Sequence, residues 1–215
     1  MRLVFISDTH SMHNNPLMKA IPDGDILVHC GDLTNVGRLY DVKSFADFMK
    51  RQNHKHKVII AGNHDYCFED KNEYQSQAFE LLSDFTFLQD KAAIIEGIKF
   101  YGSPWQPEFM NWAFNLQRNG IDLMNKWAAI PDDTEILLTH GPPFGVLDMT
   151  LQGEQVGCEQ LERRIKQLKH LQIHAFGHIH EAYGVEEINQ VKYINACICN
   201  RSYQPINKPI VIDLK

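Results

Sequence analysis

No two cysteines stand in the C-x-x-C spacing of structural zinc or dithiol redox sites, and the five present (Cys30, Cys67, Cys158, Cys197, Cys199) are odd in number. A disulfide framework is therefore excluded as the organising principle, and reduced thiols are expected. Long hydrophobic runs are also missing. Leu3-Val4-Phe5-Ile6 is broken by Ser7-Asp8, too soon for a signal-peptide core or a membrane span, so the expectation is a cytoplasmic protein with no membrane association. Positive charge is scarce: 21 Lys and Arg against 27 Asp and Glu leave a formal net charge of −6, which argues against long nucleic acid as a partner. Internal repeats, low-complexity tracts and dividing linkers are absent, so one domain over residues 1–215 is expected.

Apolar, β-branched runs recur at Arg2–Ser7, Asp25–Cys30, Lys57–Ala61, Glu135–Thr139 and Ile173–Gly177, each ended by Gly or a polar residue; these predict strands. Helical spacing lies between them, at Asp41–Gln52, Tyr74–Ser83, Ile121–Ala129 and Glu159–Lys169. The alternation predicts an α/β architecture with a largely parallel sheet. Two tight hairpins break the rhythm, one of Ala92–Glu96 and Ile98–Tyr101 turning at Gly97 and one of Gly184–Ile188 and Val191–Asn195 turning at Asn189-Gln190, with Ile210–Leu214 as a closing strand. A second, more antiparallel sheet follows, giving two sheets face to face with helices outside.

Five polar clusters end apolar runs: Asp8-Thr9-His10, Gly31-Asp32, Gly62-Asn63-His64-Asp65, His140-Gly141-Pro142 and Gly177-His178-Ile179-His180. In α/β sheets ligand sites gather beyond the carboxyl ends of strands, so all five can converge on one cleft. The mixed carboxylate, amide and imidazole donors are too oxygen-rich for structural zinc and too imidazole-rich for a calcium cage. They fit manganese, iron, nickel, cobalt or zinc in a catalytic role. Two such ions activate a shared water for attack on a phosphoester. Gly-Asp and Gly-Asn also commonly form turns at strand ends, a role compatible with ligation.

The five clusters together resemble the signature of calcineurin-like metallophosphoesterases. More narrowly, Gly102-Ser103-Pro104-Trp105, Asn111-Trp112-Ala113-Phe114-Asn115, Gly177–Gly184 and the stretch from Asn195-Ala196-Cys197 to Pro209-Ile210 resemble the metallophosphoesterase-domain-containing (MPPED) branch. The likeness spans essentially the whole chain and implies a two-sheet αββα sandwich. It implies that Asp8, His10 and His180 hold one divalent ion, that Asn63, His140 and His178 hold the second, and that Asp32 bridges them. Manganese is the expected metal, with iron, nickel, cobalt and zinc as alternatives. Asn63 and His64 would contact the phosphate, and His64 would protonate the leaving alkoxide while Asp65 orients its ring. The implied activity is hydrolysis of small phosphodiesters such as cyclic nucleotides by a hydroxide shared between the ions. A phosphomonoesterase or protein phosphatase, a nuclease, or a protein-interaction scaffold are the rivals on the same core.

Other residues stay open. Trp105, Phe109, Trp112 and Phe114 form an aromatic stretch that either anchors a long loop in the core or walls a pocket, and Trp105 and Trp112 are carried as candidate substrate contacts. His29 reads as an orienting neighbour of Asp32 or a core histidine, Arg201 as an exposed cation, and Cys197 and Cys199 as packing. The Gly141–Gly157 segment is a candidate loop over the cleft.

Overall fold

The computed structural model describes residues 1–70 and 72–214. The first sheet holds β1 (Arg2–Ile6), β2 (Ile26–Cys30), β3 (His56–Ile60) and the short β4 (Thr86–Phe87) in parallel. The second contains β5 (Lys91–Ile95), β6 (Ile98–Ser103), β9 (Ile136–Thr139), β10 (Ile173–Phe176), β11 (Gly184–Ile188) and β12 (Val191–Asn195), in the order β11-β12-β10-β9-β6-β5. Between β6 and β9 lies a small parallel pair, β7 (Gln106–Pro107) and β8 (Asn115–Leu116). The closing strand β13 (Ile210–Asp213) returns antiparallel to β1. Helices α1 (Leu39–Lys50), α2 (Gln75–Leu81), α3 (Ile121–Ala128) and α4 (Glu159–Ile165) follow the spacing in the sequence.

Side-chain alternation along the strands accounts for the layers. Leu3 and Phe5 of β1 face a core shared with Ile136 and Leu138 of β9 and Ile173 of β10, between the two sheets. Val4 and Ile6 face the other way, onto Val42, Phe45 and Met49 of α1. Across the second sheet, Leu137 and Tyr193 meet Leu123 and Trp127 of α3 and Leu161 and Ile165 of α4. The order is thus helix, sheet, sheet, helix, the expected αββα sandwich.

The second sheet is less antiparallel than its hairpins suggest. Strands β12, β10, β9 and β6 run parallel, and only the edges β11 and β5 are antiparallel, each folded back through a turn with positive φ (Asn189 and Gln190; Glu96 and Gly97). Hairpin signals are local and report one pairing each; the central order comes from which strands share the inter-sheet core. None of the described helices is long and apolar enough to cross a membrane.

Candidate metal centre

The five clusters meet at one end of the sandwich. The turn after β1 is tied to the turn after β2: the Asp8 N–H donates to the Gly31 carbonyl and the His10 N–H to the Asp32 carbonyl, both at 3.0 Å. Asp8 (φ 52°), His10 (φ 41°), Asp32 (φ 56°) and His178 (φ 69°) all occupy the left-handed region, where a non-glycine residue is strained. Each costs about 1–3 kcal/mol, a cost the surrounding fold must offset to aim these side chains inward.

Close approach explains two of the motif glycines. A Cβ on Gly62 would run into Asp32 Oδ1 and lie 2.7 Å from the His140 ring; one on Gly177 would collide with Asp8 Oδ2 and Ser7 Oγ. Only a bare backbone lets the carboxylates lie so close under these turns.

The donors converge in overlapping groups, all buried but for the half-buried His180: Asp8 with His10 and His180, His10 with Asp32 and His64, and Asp8 with Asp32 and His140. Asp32 Oδ2 lies 3.3 Å from His140 Nε2 and 3.7 Å from His10 Nε2, a central position. Asp8 Oδ1 lies 3.3 Å from His180 Nε2 and 3.8 Å from His10 Nε2. Asn63 Oδ1 is 2.8 Å from His140 Nε2. His178 falls in none of these groupings among the described residues. Its N–H donates to both Asp8 oxygens at 3.1 Å, and its ring stands edge-on to that of His140 with centroids 5.1 Å apart.

Tautomers follow from hydrogen bonding. His140 Nδ1 meets the Cys30 carbonyl at 3.0 Å, His180 Nδ1 the Asn200 carbonyl at 3.0 Å, and His64 Nδ1 the Asn35 carbonyl at 2.7 Å. A carbonyl only accepts, so each Nδ1 carries the proton and each Nε2 presents a lone pair inward. His140 Nε2 and Asn63 Oδ1 are then two acceptors facing each other, whereas His10, whose Nδ1 meets no partner, can donate from Nε2 to the His180 Nε2 lone pair at 3.2 Å. The contact between His140 and Asn63 is reconciled by a cation between the two atoms or, without one, by a second proton on His140 Nε2, and the donor set fits divalent metal ions.

The charges agree. Burial opposes the charged form of Asp32, yet His140 holds its carboxyl well below the usual carboxylate range. Burial also opposes a charged His140, but Asp32 and Asp8 raise it to about 9, so a proton on His140 balances the carboxylates in the absence of a metal. His10 and His178 are pushed down by burial, to about 4 and about 3, and are neutral donors.

The role given to Asp65 is corrected. Its buried carboxylate accepts from the amides of Leu33, Thr34 and Gly62 and from the Thr34 hydroxyl, at 2.8–3.2 Å, while the Asn35 carbonyl orients the His64 ring. Asp65 braces the two turns. Burial, then Asp32, raise it to about 7 despite those bonds. Trp105 is corrected too: its Nε1–H donates to Asp90 at 2.8 Å, its ring packs on Phe114, and Lys126 Nζ lies 4.2 Å over it, away from the cleft. Trp112 does reach the site, stacked on His64 with centroids 3.9 Å apart.

A cleft of about 580 Å³ opens over the cluster, walled by Trp112, Phe109, Met110 and Tyr203 and by residues of the Gly141–Gly157 loop. No sequence signal marks Tyr203; its ring is edge-on to His10 at 4.7 Å, placed by a left-handed turn (φ 55°) that carries no motif. Arg201 is exposed, as expected, and stands at the edge of the cleft. His29 is a buried histidine that meets the Thr9 hydroxyl at 3.0 Å.

Two facing sheets with carboxylates and imidazoles converging beyond their strands define a metallophosphoesterase-type fold. Residues 1–182 match the calcineurin-like phosphoesterase family, and the chain belongs to it. Across 99% of its length it is 39% identical to Metallophosphoesterase domain-containing protein 1 of Homo sapiens and of Mus musculus, covering 71% of each. A crystal structure of TT1561 of Thermus thermophilus shares the fold with a TM-score of 0.60 at 10% identity, over 90% of this chain and 88% of that one. The family and the donor groups support a metal-dependent phosphoester hydrolase that uses divalent ions.

Proposed function

We propose that this protein hydrolyses small phosphodiesters, cyclic nucleotides among them, using two divalent ions, manganese foremost, in the cytoplasm. Asp8, His10 and His180 would hold one ion, Asn63, His140 and His178 the other, with Asp32 between them. When bound, such a pair activates water as a nucleophile and neutralises charge on the phosphoryl group. With Nδ1–H committed to the Asn35 carbonyl, His64 keeps Nε2 toward the cleft, 3.9 Å from Asp32 Oδ2. In its protonated form it hands that proton to the departing alkoxide. Trp112, stacked on the same ring, excludes water from one side of it. Five buried, unpaired cysteines support a reducing compartment.

Charge carries the preference for a diester. Arg118 is committed to Glu159 and to the Val156 and Gly157 carbonyls at 2.6–2.8 Å, and Arg201 faces Glu181 at 3.8 Å. Among the described residues lining the cleft, Arg201 is the one cation not held by hydrogen bonds, and its attraction to the second negative charge of a monoester is weakened by Glu181 beside it. A diester carries one charge and brings an organic arm to the aromatic wall. The test is a manganese-supplemented panel of a cyclic nucleotide, an aryl phosphodiester and an aryl phosphomonoester. Higher kcat/KM for the diesters is expected. Faster monoester cleavage would defeat the diester preference, and no turnover with two ions bound would defeat the hydrolase reading and favour a scaffold.

A further inference from the structure

The segment after β12 lies beside the end of β1 and is locked there. Ser7 and Cys197 form an isolated parallel bridge, the Ile198 N–H donates to the Ser7 carbonyl at 2.8 Å, and the Cys197 N–H donates to Asn195 Oδ1 at 3.2 Å. Asn207 Nδ2 in turn donates to the Cys197 carbonyl at 2.9 Å. Held this way, the buried Cys197 Sγ lies 3.1 Å from Asp8 Oδ2. A carboxylate oxygen only accepts, so the thiol donates.

The two oxygens of Asp8 therefore differ. Oδ2 takes the Cys197 thiol and shares the His178 N–H, whereas Oδ1 points at His180 Nε2 and His10 Nε2. We propose that Cys197 is a positioning residue for the metal centre: its S–H occupies Oδ2 and thereby presents Oδ1 as the single metal-binding oxygen of Asp8. This rests on the reading of Asp8 as a ligand. Groups that orient a ligand in this way carry about 10–100-fold in metal affinity when removed. A thiol is a weak donor, which places Cys197 at the lower end. Cys199 provides the contrast: its sulfur is 3.9 Å from the Thr9 carbonyl and touches no candidate ligand side chain in the hydrogen-bond pattern.

The experiment titrates Mn2+ into metal-free wild type, Cys197→Ala, Cys197→Ser and Cys199→Ala by calorimetry, with melting temperatures alongside. Cys197→Ala should weaken one of the two Mn2+ affinities by about tenfold and leave the other unchanged. Cys197→Ser, which keeps a donor, should restore most of the loss, and Cys199→Ala should match wild type. Wild-type affinities in Cys197→Ala overturn the proposal, as does an equal loss in the Ser and Ala variants, which would mean the sulfur only fills space. If Cys197→Ala does not fold, the infrared S–H stretch of wild type, assigned by its loss in Cys197→Ser, decides. A hydrogen-bonded band that moves on Mn2+ addition supports the proposal, and an unbonded frequency overturns it. A wild type that binds no Mn2+ refutes the ligand reading of Asp8 and this proposal with it, whereas two-ion binding indifferent to Cys197 refutes this proposal alone.

Discussion

Replacing Gly177 with alanine adds one methyl group at the most crowded point of the site. The new Cβ would overlap Asp8 Oδ2 and Ser7 Oγ and lie 2.8 Å from Ser7 Cβ. Neither neighbour is a long, flexible side chain: Asp8 is in a left-handed conformation and its carboxylate is held by Cys197 and the His178 N–H. The carboxylate must retreat by on the order of an ångström, a displacement that costs about 10²-fold in turnover when it falls on reacting groups. Overpacking of this kind costs about 1–3 kcal/mol, or about 2–12 °C in melting temperature for a chain of this size. Metal affinity should fall by about 10–100-fold. Gly141→Ala is the control, because its Cβ would meet Gln106 at Cβ (3.7 Å) and Oε1 (3.9 Å), both ordinary contacts. The assay measures Mn2+ affinity by calorimetry, turnover of an aryl phosphodiester, and thermal unfolding for both variants. Wild-type affinity and rate in Gly177→Ala, or equal damage in Gly141→Ala, would refute the steric argument.

His64→Ala should retain both ions yet lose about 10²–10⁴-fold in turnover of an ester with a poor alkoxide leaving group, and less with an aryl ester; equal losses for the two esters would count against proton donation. Asp65→Asn should instead destabilise the fold by about 1–3 kcal/mol with no dependence on leaving group, because it points an amide donor at amide donors. Trp112→Ala should weaken nucleotide substrates by about 1–3 kcal/mol relative to a small diester. Trp105→Ala should leave that ratio unchanged and lower stability by about 3 kcal/mol, and urea unfolding with both substrates separates the two outcomes. Burial holds His29 and His174 down to about 3 when folded, against about 6.5 unfolded. The unfolded chain therefore binds more protons below pH 6.5, and the stability these neutral rings contribute is complete above that pH and lost as pH falls. Each steepens the decline by up to about 1.4 kcal/mol per pH unit, and a urea series from pH 7.5 to 5 on His174→Gln should be flatter than wild type; an identical slope would refute the assignment.

Strands and helices were legible because each is a local matter of period. Val42, Phe45, Ala46 and Met49 recur on one face of α1, and the alternation in Arg2–Ile6 splits cleanly between two cores. The aromatic stretch was not legible. Trp105 and Trp112 are alike in sequence context, and what separates them is Asp90, fifteen residues before Trp105, which accepts the Trp105 N–H. The partner of the His64 ring was not legible for the same reason. Asp65 is adjacent along the chain, but its carboxylate faces the turn after β2, while the ring finds a carbonyl at Asn35 from that other turn.

The order of donors along the chain specified the chemistry of the centre, because ligand type and position at a strand end are properties of short segments. It could not specify which atoms of those donors face inward. Asp8, His10 and Asp32 point into the cluster, and His178 turns its backbone N–H to Asp8, through left-handed backbone that no local preference favours, and the fold imposes it by docking turns from different strands on one another. Tautomers were decided the same way, by carbonyls at Cys30, Asn35 and Asn200 that belong to other segments. Hydrogen-bond partners distant in sequence exist only once the two sheets have packed, so the identities of the candidate donors belong to the sequence and their aim belongs to the assembled sandwich.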